Sequence, residues 1–156
     1  MKWKRPRKHE ALLWSIALPG FGQFLNGKVV KGITLIILEF LVNVNSNFNL
    51  AIMYSFIWEI NKAIEITDFQ WLMFYPCLYM FAIWDAYRDA EGETHPFTYL
   101  PFVFGAFFIT IGLMYSTKLL LFGVLIGPVF LPMLFLIPGL GVGFIIKKIV
   151  SAVSGT

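Results

Sequence analysis

The chain has 156 residues, the size of one domain, yet 58% of them are apolar and only 13% are charged. A soluble domain carries about 25% charge, so a water-facing surface cannot be built from this composition, and lipid is the main solvent it fits. The net charge is only +3, and its meaning lies in where the charges sit.

Lys2, Lys4, Arg5, Arg7 and Lys8 crowd the start, with no acid before Glu10. Beside an apolar run, such a cluster is expected to hold the N-terminus in the cytoplasm and to touch anionic lipid rather than nucleic acid. The run Ala11 to Leu25 is too short for a straight span, which needs about 20 residues. Pro19, Gly20 and Gly22 break it in the middle, because proline removes a backbone donor and glycine disfavours helix. A re-entrant hairpin is expected there. No A-x-A-like site follows, so the segment is read as retained rather than cleaved.

Asn26 and Gly27 form a turn signal, followed by Lys28 and Lys31 at the mouth of the first span, Val29 to Val44. Asn43, Asn45, Asn47 and Asn49 mark the exit from the hydrocarbon. From Leu50 to Ile66, the polar residues Ser55, Glu59, Lys62 and Glu65 recur at spacings of three and four, which predicts one external amphipathic helix. Thr67 and Gln70 have the spacing of a capping box. The second span is Trp71 to Tyr87, with a kink expected at Pro76. A solvated loop is expected over Asp85 to His95. The third span is Tyr99 to Tyr115, with Pro101 in its first turn. Leu119 to Ile146 carries no charge. As one helix it would extend about 42 Å, and Pro128, Pro132 and Pro138 predict that it is broken instead.

Sidedness follows from the lysines and arginines. If the first apolar stretch returns to its own side, only Lys62 and Lys118 of the twelve lie outside. If it spans, Lys28, Lys31, Arg88, Lys147 and Lys148 move outside while Lys62 and Lys118 move inside, so the positive-inside rule favours the hairpin. The expected fold is therefore an all-α integral membrane protein. It is a four-span helical bundle with an N-terminal re-entrant Pro-Gly hairpin, an external amphipathic helix and both termini in the cytoplasm. The units are a basic tail (1–10), a hairpin-and-two-span unit (11–90), a loop (91–98) and a two-span unit (99–150).

Pro19, Gly20, Gly22, Gln23, Gly27, Lys31 and Gly32, then Trp84, Asp85, Ala86 and Tyr87, resemble the motifs of the TM-two domain family of small membrane proteins. The resemblance covers roughly residues 11 to 90. It departs in the long link between the two helices and in the further two-span half that follows. It implies architecture, and no catalytic residue carries over from it.

Glu39 is the sharpest site candidate, about 12 Å along the helix from Lys31. A carboxyl within hydrocarbon is costly unless paired or protonated. Gly32, Ile36, Glu39, Asn43 and Ser46 share one stripe of the helix, and Tyr75 and Tyr79 are one turn apart on the second span, where they could donate to Glu39. A structural clasp and a proton or substrate role both remain open. Asp85 is expected to pair with Arg88, Lys28 or Lys31 at the inner interface. The echo between Leu18-Pro19-Gly20-Phe21-Gly22 and Ile137-Pro138-Gly139-Leu140-Gly141 has the form of paired broken segments of transporters, but so short a match is more readily chance or shared membrane-turn chemistry. The glycine pairs Gly123/Gly127 and Gly139/Gly143 allow close helix contact.

Asp89, Glu91, Glu93 and His95 do not have the spacing of a metal loop. The single cysteine, Cys77, excludes an internal disulfide. No nucleotide, flavin or nucleophile motif is present, so no cofactor, metal or catalytic residue is expected. The leading functional expectation is an accessory or scaffold protein of a bacterial cytoplasmic membrane that binds a membrane-protein partner, a second copy or lipid. The alternative is a small transporter or channel with Glu39 as its intramembrane acid.

Overall fold

The computed structural model describes residues 5–155. Lys2 and Lys4 of the basic cluster lie outside the described residues. The chain is mostly helical. It runs through α1 (Lys8–Ala17), α2 (Phe21–Leu25), α3 (Val29–Ser46), α4 (Phe48–Phe56), α5 (Ile60–Ile66), α6 (Phe69–Leu72), α7 (Tyr75–Asp89) and α8 (Leu100–Tyr115). A two-residue antiparallel hairpin, β1 (Leu120–Leu121) and β2 (Val124–Leu125), then leads into α9 (Gly127–Ser154). Two helices, α3 and α9, are long and apolar enough to cross a membrane, and α8 is a shorter apolar helix.

The helices organise around α7. On one side it meets α1, α2 and α3, and on the other α8, whose far face is covered by α9. Met80, Ile83 and Ala106 form a small core between α7 and α8, with Leu12 of α1 and Leu136 and Leu140 of α9 packed against it. Large apolar side chains such as Val30, Phe40, Phe107, Ile137 and Ile145 point outward. That distribution suits a lipid solvent and would be an aggregation liability in water.

The Pro-Gly break is real and local. Gly20 has φ +105°, a conformation that side chains disfavour, and it reverses the chain between α1 and α2. A Cβ there would lie 2.6 Å from the Gly32 carbonyl oxygen, so the turn also needs its glycine to seat against α3. At Gly22 a Cβ would collide with Ser15 Oγ and lie 2.6 Å from the Ala86 Cβ. That second glycine lets α2 close onto both α1 and α7.

Four expectations are corrected. Leu50 to Ile66 is not one amphipathic helix. It is the pair α4 and α5, reversed at Trp58, which has φ +62°. Ser55 is fully buried, whereas Glu59, Lys62 and Glu65 stay exposed. Phe56 meets Phe130 of α9 edge-on and Trp58 lies tilted against the same ring, and this contact overrides the periodicity.

The cap of the next helix is Asp68, whose carboxylate accepts from the Gln70 and Trp71 amides. Thr67 instead donates back to the Ala63 carbonyl. Pro76 lies in the first turn of α7, where its missing N–H is harmless. The polypeptide passes from α6 to α7 through Met73 and Phe74, both in right-handed helical conformation.

The fourth correction is α9, which is continuous through Pro132 and Pro138. An interior proline costs about 3 kcal/mol in isolation. Here α8 and α9 interlock closely. Gly112 of α8 receives Pro132, and Gly139 and Gly143 of α9 receive Phe108 and Pro101. The pairing holds the helix where the prolines alone would bend it. The echo with Leu18–Gly22 therefore has no structural counterpart, since one copy is a reversal and the other is mid-helix. The glycine pair Gly139/Gly143 serves packing within the chain, whereas Gly123 lies in the β hairpin and Gly127 begins α9 against Ile60.

Candidate functional site

Polar side chains gather at two levels along α7. The first lies at its C-terminal end. Asp85 is buried and receives Lys31 Nζ at 2.8 Å and Arg88 Nη2 at 2.7 Å. Gln23 Nε2, fully buried on α2, reaches its other oxygen at 3.3 Å and the Ala82 carbonyl at 2.8 Å. Asn26 donates to the Ala86 carbonyl at 2.8 Å. Asp89 adds a second acid, at 3.2 Å from Lys31 and 3.3 Å from Arg88. The short α2 helix and the turn after it thus place two amides against the backbone of α7. Helix α3 starts directly after them and brings Lys31 to the same point.

The expected partner of Asp85 was one of three cations, and the structure gives it two, Lys31 and Arg88. Lys28 is exposed and forms no ion pair among the described residues. Burial pushes the Asp89 carboxyl up, but hydrogen bonds and charge from Lys31 and Arg88 outweigh it and hold the group below the usual carboxylate range.

Lys8 has a role that composition does not reveal. Its amine donates to the Tyr87 and Ala90 carbonyls at 3.0 and 3.4 Å and to Thr94 Oγ1 at 2.7 Å. It therefore caps the C-terminus of α7, where orphan carbonyls and the negative end of the helix dipole favour a cation. Burial pushes the Lys8 amine down, against the attraction of Asp89. The neighbouring Glu91 amide donates to the Pro6 carbonyl at 3.0 Å, which fastens the tail to the loop after α7. Of the expected lipid-contacting cluster, Arg5 and Arg7 are exposed, and Lys8 is committed to this cap.

The second level lies deeper. Glu39 is buried on α3 at 9% exposure, and its Oε1 accepts a long 3.3 Å bond from the Tyr75 hydroxyl. Its Oε2 is buried without a partner among the described residues. Tyr79 does not donate to Glu39 as expected. Its ring stacks on Tyr75 at 5.4 Å, and its hydroxyl donates to the Ile16 carbonyl at 2.8 Å, near the turn of the α1–α2 hairpin. Asn43 lies one turn further along α3, half-buried, and donates to Asn49 Oδ1 at 3.2 Å. The predicted stripe is present, since Gly32, Glu39 and Ser46 are all buried on one face.

The hairpin spans the distance between these levels. Lys8 meets the end of α7 and Ile16 meets Tyr79, a run of about 12 Å along α1. The chain then reverses at Pro19 and Gly20 and returns to Ala86 through Asn26. Among the described residues, no cluster of His, Cys, Asp or Glu could hold a metal ion. Sequence reasoning gave Gln23 only a place in a motif, Asn26 only a turn and Lys8 only a place in the basic cluster. A buried amide in a glycine-flanked apolar run was the available signal for the first two.

Comparison with family models, curated proteins and solved structures found no match for this chain.

Proposed function

We propose that the chain is a four-span protein of the bacterial cytoplasmic membrane, with both termini cytoplasmic, that acts as an accessory or scaffold holding a membrane partner. Its spans would be α3, α6 continuing into α7, α8 and α9, with α1–α2 as a re-entrant hairpin. The observation that carries this reading is how the ionisable groups are used. Asp85, Asp89 and Arg88 of α7 bind one another and Lys31 of α3, and Lys8 is absorbed in capping. Their chemistry is spent on fixing helix ends, and much of the remaining helix surface is apolar.

The resemblance to the TM-two family fits this reading, because Gln23, Lys31 and Asp85, which help carry it, meet in one network. Broken backbone at membrane depth is tolerated where protein covers it, and α3 and α7 cover the hairpin turn. Affinity purification in mild detergent, after crosslinking in intact cells, tests the scaffold role. A partner recovered in stoichiometric amount supports it, and recovery of the bare protein alone opposes it.

A second reading is favoured by one atom. Glu39 Oε2 is buried and unpartnered, the state expected of an acid that exchanges a proton or meets a solute. In that reading the chain is a small transporter or channel for an ion or lipid-like solute. Flux into liposomes that is abolished by Glu39→Gln would support it. Flux that is absent, or unchanged by the substitution, would sink it.

A further inference from the structure

On the membrane-facing side of α7 and α8 lies an apolar groove of about 640 Å³. Cys77, Phe81 and Trp84 form one wall, and Val103, Phe107 and Thr110 form the other. The two helices run antiparallel, with Tyr87 against Phe102 and Met80 against Gly105. Trp84 and Tyr99 therefore stand together at the end of the groove nearest the C-terminus of α7. There the Arg88 guanidinium lies over the Trp84 ring, 4.6 Å from its centroid. Arg88 gives Nε to Asp89 and Nη2 to Asp85, and its Nη1 has no hydrogen bond among the described residues. The side chain is 40% exposed. The groove is thus a hydrocarbon-lined slot with an aromatic rim, and the Arg88 guanidinium sits beyond the lining, over the Trp84 ring of that rim.

We infer that this groove is a phospholipid site, with one acyl chain between α7 and α8 and the lipid phosphate on Arg88 Nη1. The inference rests on the membrane reading above. An acyl chain matches the apolar walls, and the aromatic rim matches the depth at which Trp and Tyr meet headgroups. A guanidinium pre-oriented by two carboxylates and an indole presents its remaining N–H donors to phosphate in charge-assisted hydrogen bonds. Because Asp85 and Asp89 balance Lys31 and Arg88, the site selects by hydrogen-bond geometry at the phosphate more than by net charge.

The test uses the full chain in nanodiscs and follows the Trp84 share of fluorescence, taken as the difference from Trp84→Phe. Chain-brominated phosphatidylglycerol, titrated into a zwitterionic host, should quench Trp84. Brominated diacylglycerol, which has the same chains and no phosphate, should need about tenfold higher mole fraction, the ratio that 1.4 kcal/mol represents. Arg88→Lys keeps the charge but loses the stacked, forked donor, and should remove that preference. Val103→Phe fills the slot without touching the ion pairs, and should weaken quenching by both lipids. Equal quenching by the two lipids, unchanged in both variants, means an ordinary lipid annulus and overturns the site. A chain that never enters the nanodisc fails the membrane reading instead.

Discussion

Removing the Asp85 carboxylate is the sharpest perturbation of the α2–α3–α7 junction. Truncating one member of a buried ion pair costs about 3–5 kcal/mol when the partner is left stranded. Here the cations are not stranded. Lys31 and Arg88 are 44% and 40% exposed, and each keeps Asp89, at 3.2 and 3.3 Å. Their share falls toward that of exposed pairs, about 0.2–1 kcal/mol each. Gln23 is different. It is fully buried, and without Asp85 its amide keeps only the Ala82 carbonyl, which costs about 1–3 kcal/mol for a buried donor left unmade. Asp85→Ala should therefore destabilise by about 2–4 kcal/mol, and Asp85→Asn by less, since an amide oxygen still accepts from Gln23. Equilibrium unfolding in mixed micelles, followed by circular dichroism as the SDS fraction rises, reads the loss. Double-mutant cycles apportion it, with a coupling above about 1 kcal/mol expected for Gln23→Leu and below it for Lys31→Met. A loss under about 0.5 kcal/mol for Asp85→Ala, the size of an ordinary surface change, would refute the reasoning. So would a cycle that assigns most of the loss to Lys31.

Gly22→Ala should cost about 1–3 kcal/mol by overpacking the hairpin, whereas Gly141→Ala, which meets nothing within 4 Å, should gain about 0.8–1 kcal/mol from helix propensity; the same unfolding assay compares them. Glu39→Gln keeps an acceptor for Tyr75 and should change stability by less than about 1 kcal/mol, so a larger loss would show that the native carboxyl is ionised and paired. Stability should be flat from neutral pH to about 5 and fall below the unfolded carboxylate value of about 3.9. The sign follows from Asp89, whose folded pKa is depressed: its contribution is present above the unfolded value and is lost as pH falls through the folded one. Asp89→Asn should make that fall shallower, as unfolding curves at successive pH values would show.

Local chemistry was legible wherever one residue decided the backbone. Gly20 had to reverse the chain, Pro101 had to sit in a first turn, and the stripe through Glu39 had to face protein. Periodicity misled where tertiary contact competed with it. Ser55 has the right spacing for a polar face, yet Phe56 and Trp58 have more to gain against Phe130, and the chain turns at Trp58 to reach it. Prolines misled for a related reason. Pro132 is disfavoured in an isolated helix, but the groove that accepts it belongs to Gly112 on another helix. No window of sequence contains both halves of such a contact. Lys8 and Tyr87 are likewise 79 positions apart, so a cap formed between them reads locally as one more basic residue in a tail.

The separation of the two polar levels bears on function more than either level alone. At the end of α7, two acids face two cations, and a lysine and two amides hold the backbone. The acids and cations there have two or more partners each, whereas Gln23 Oε1 and Asn26 Oδ1 are buried without one among the described residues. About one helical hairpin deeper, Glu39 depends on a single 3.3 Å bond and has one oxygen free. Glu39 lies beside Tyr75, whose stacked neighbour Tyr79 is bonded to the Ile16 carbonyl of the hairpin. Glu39, Tyr75, Tyr79 and Ile16 thus join α3, α7 and the hairpin in one run of contacts.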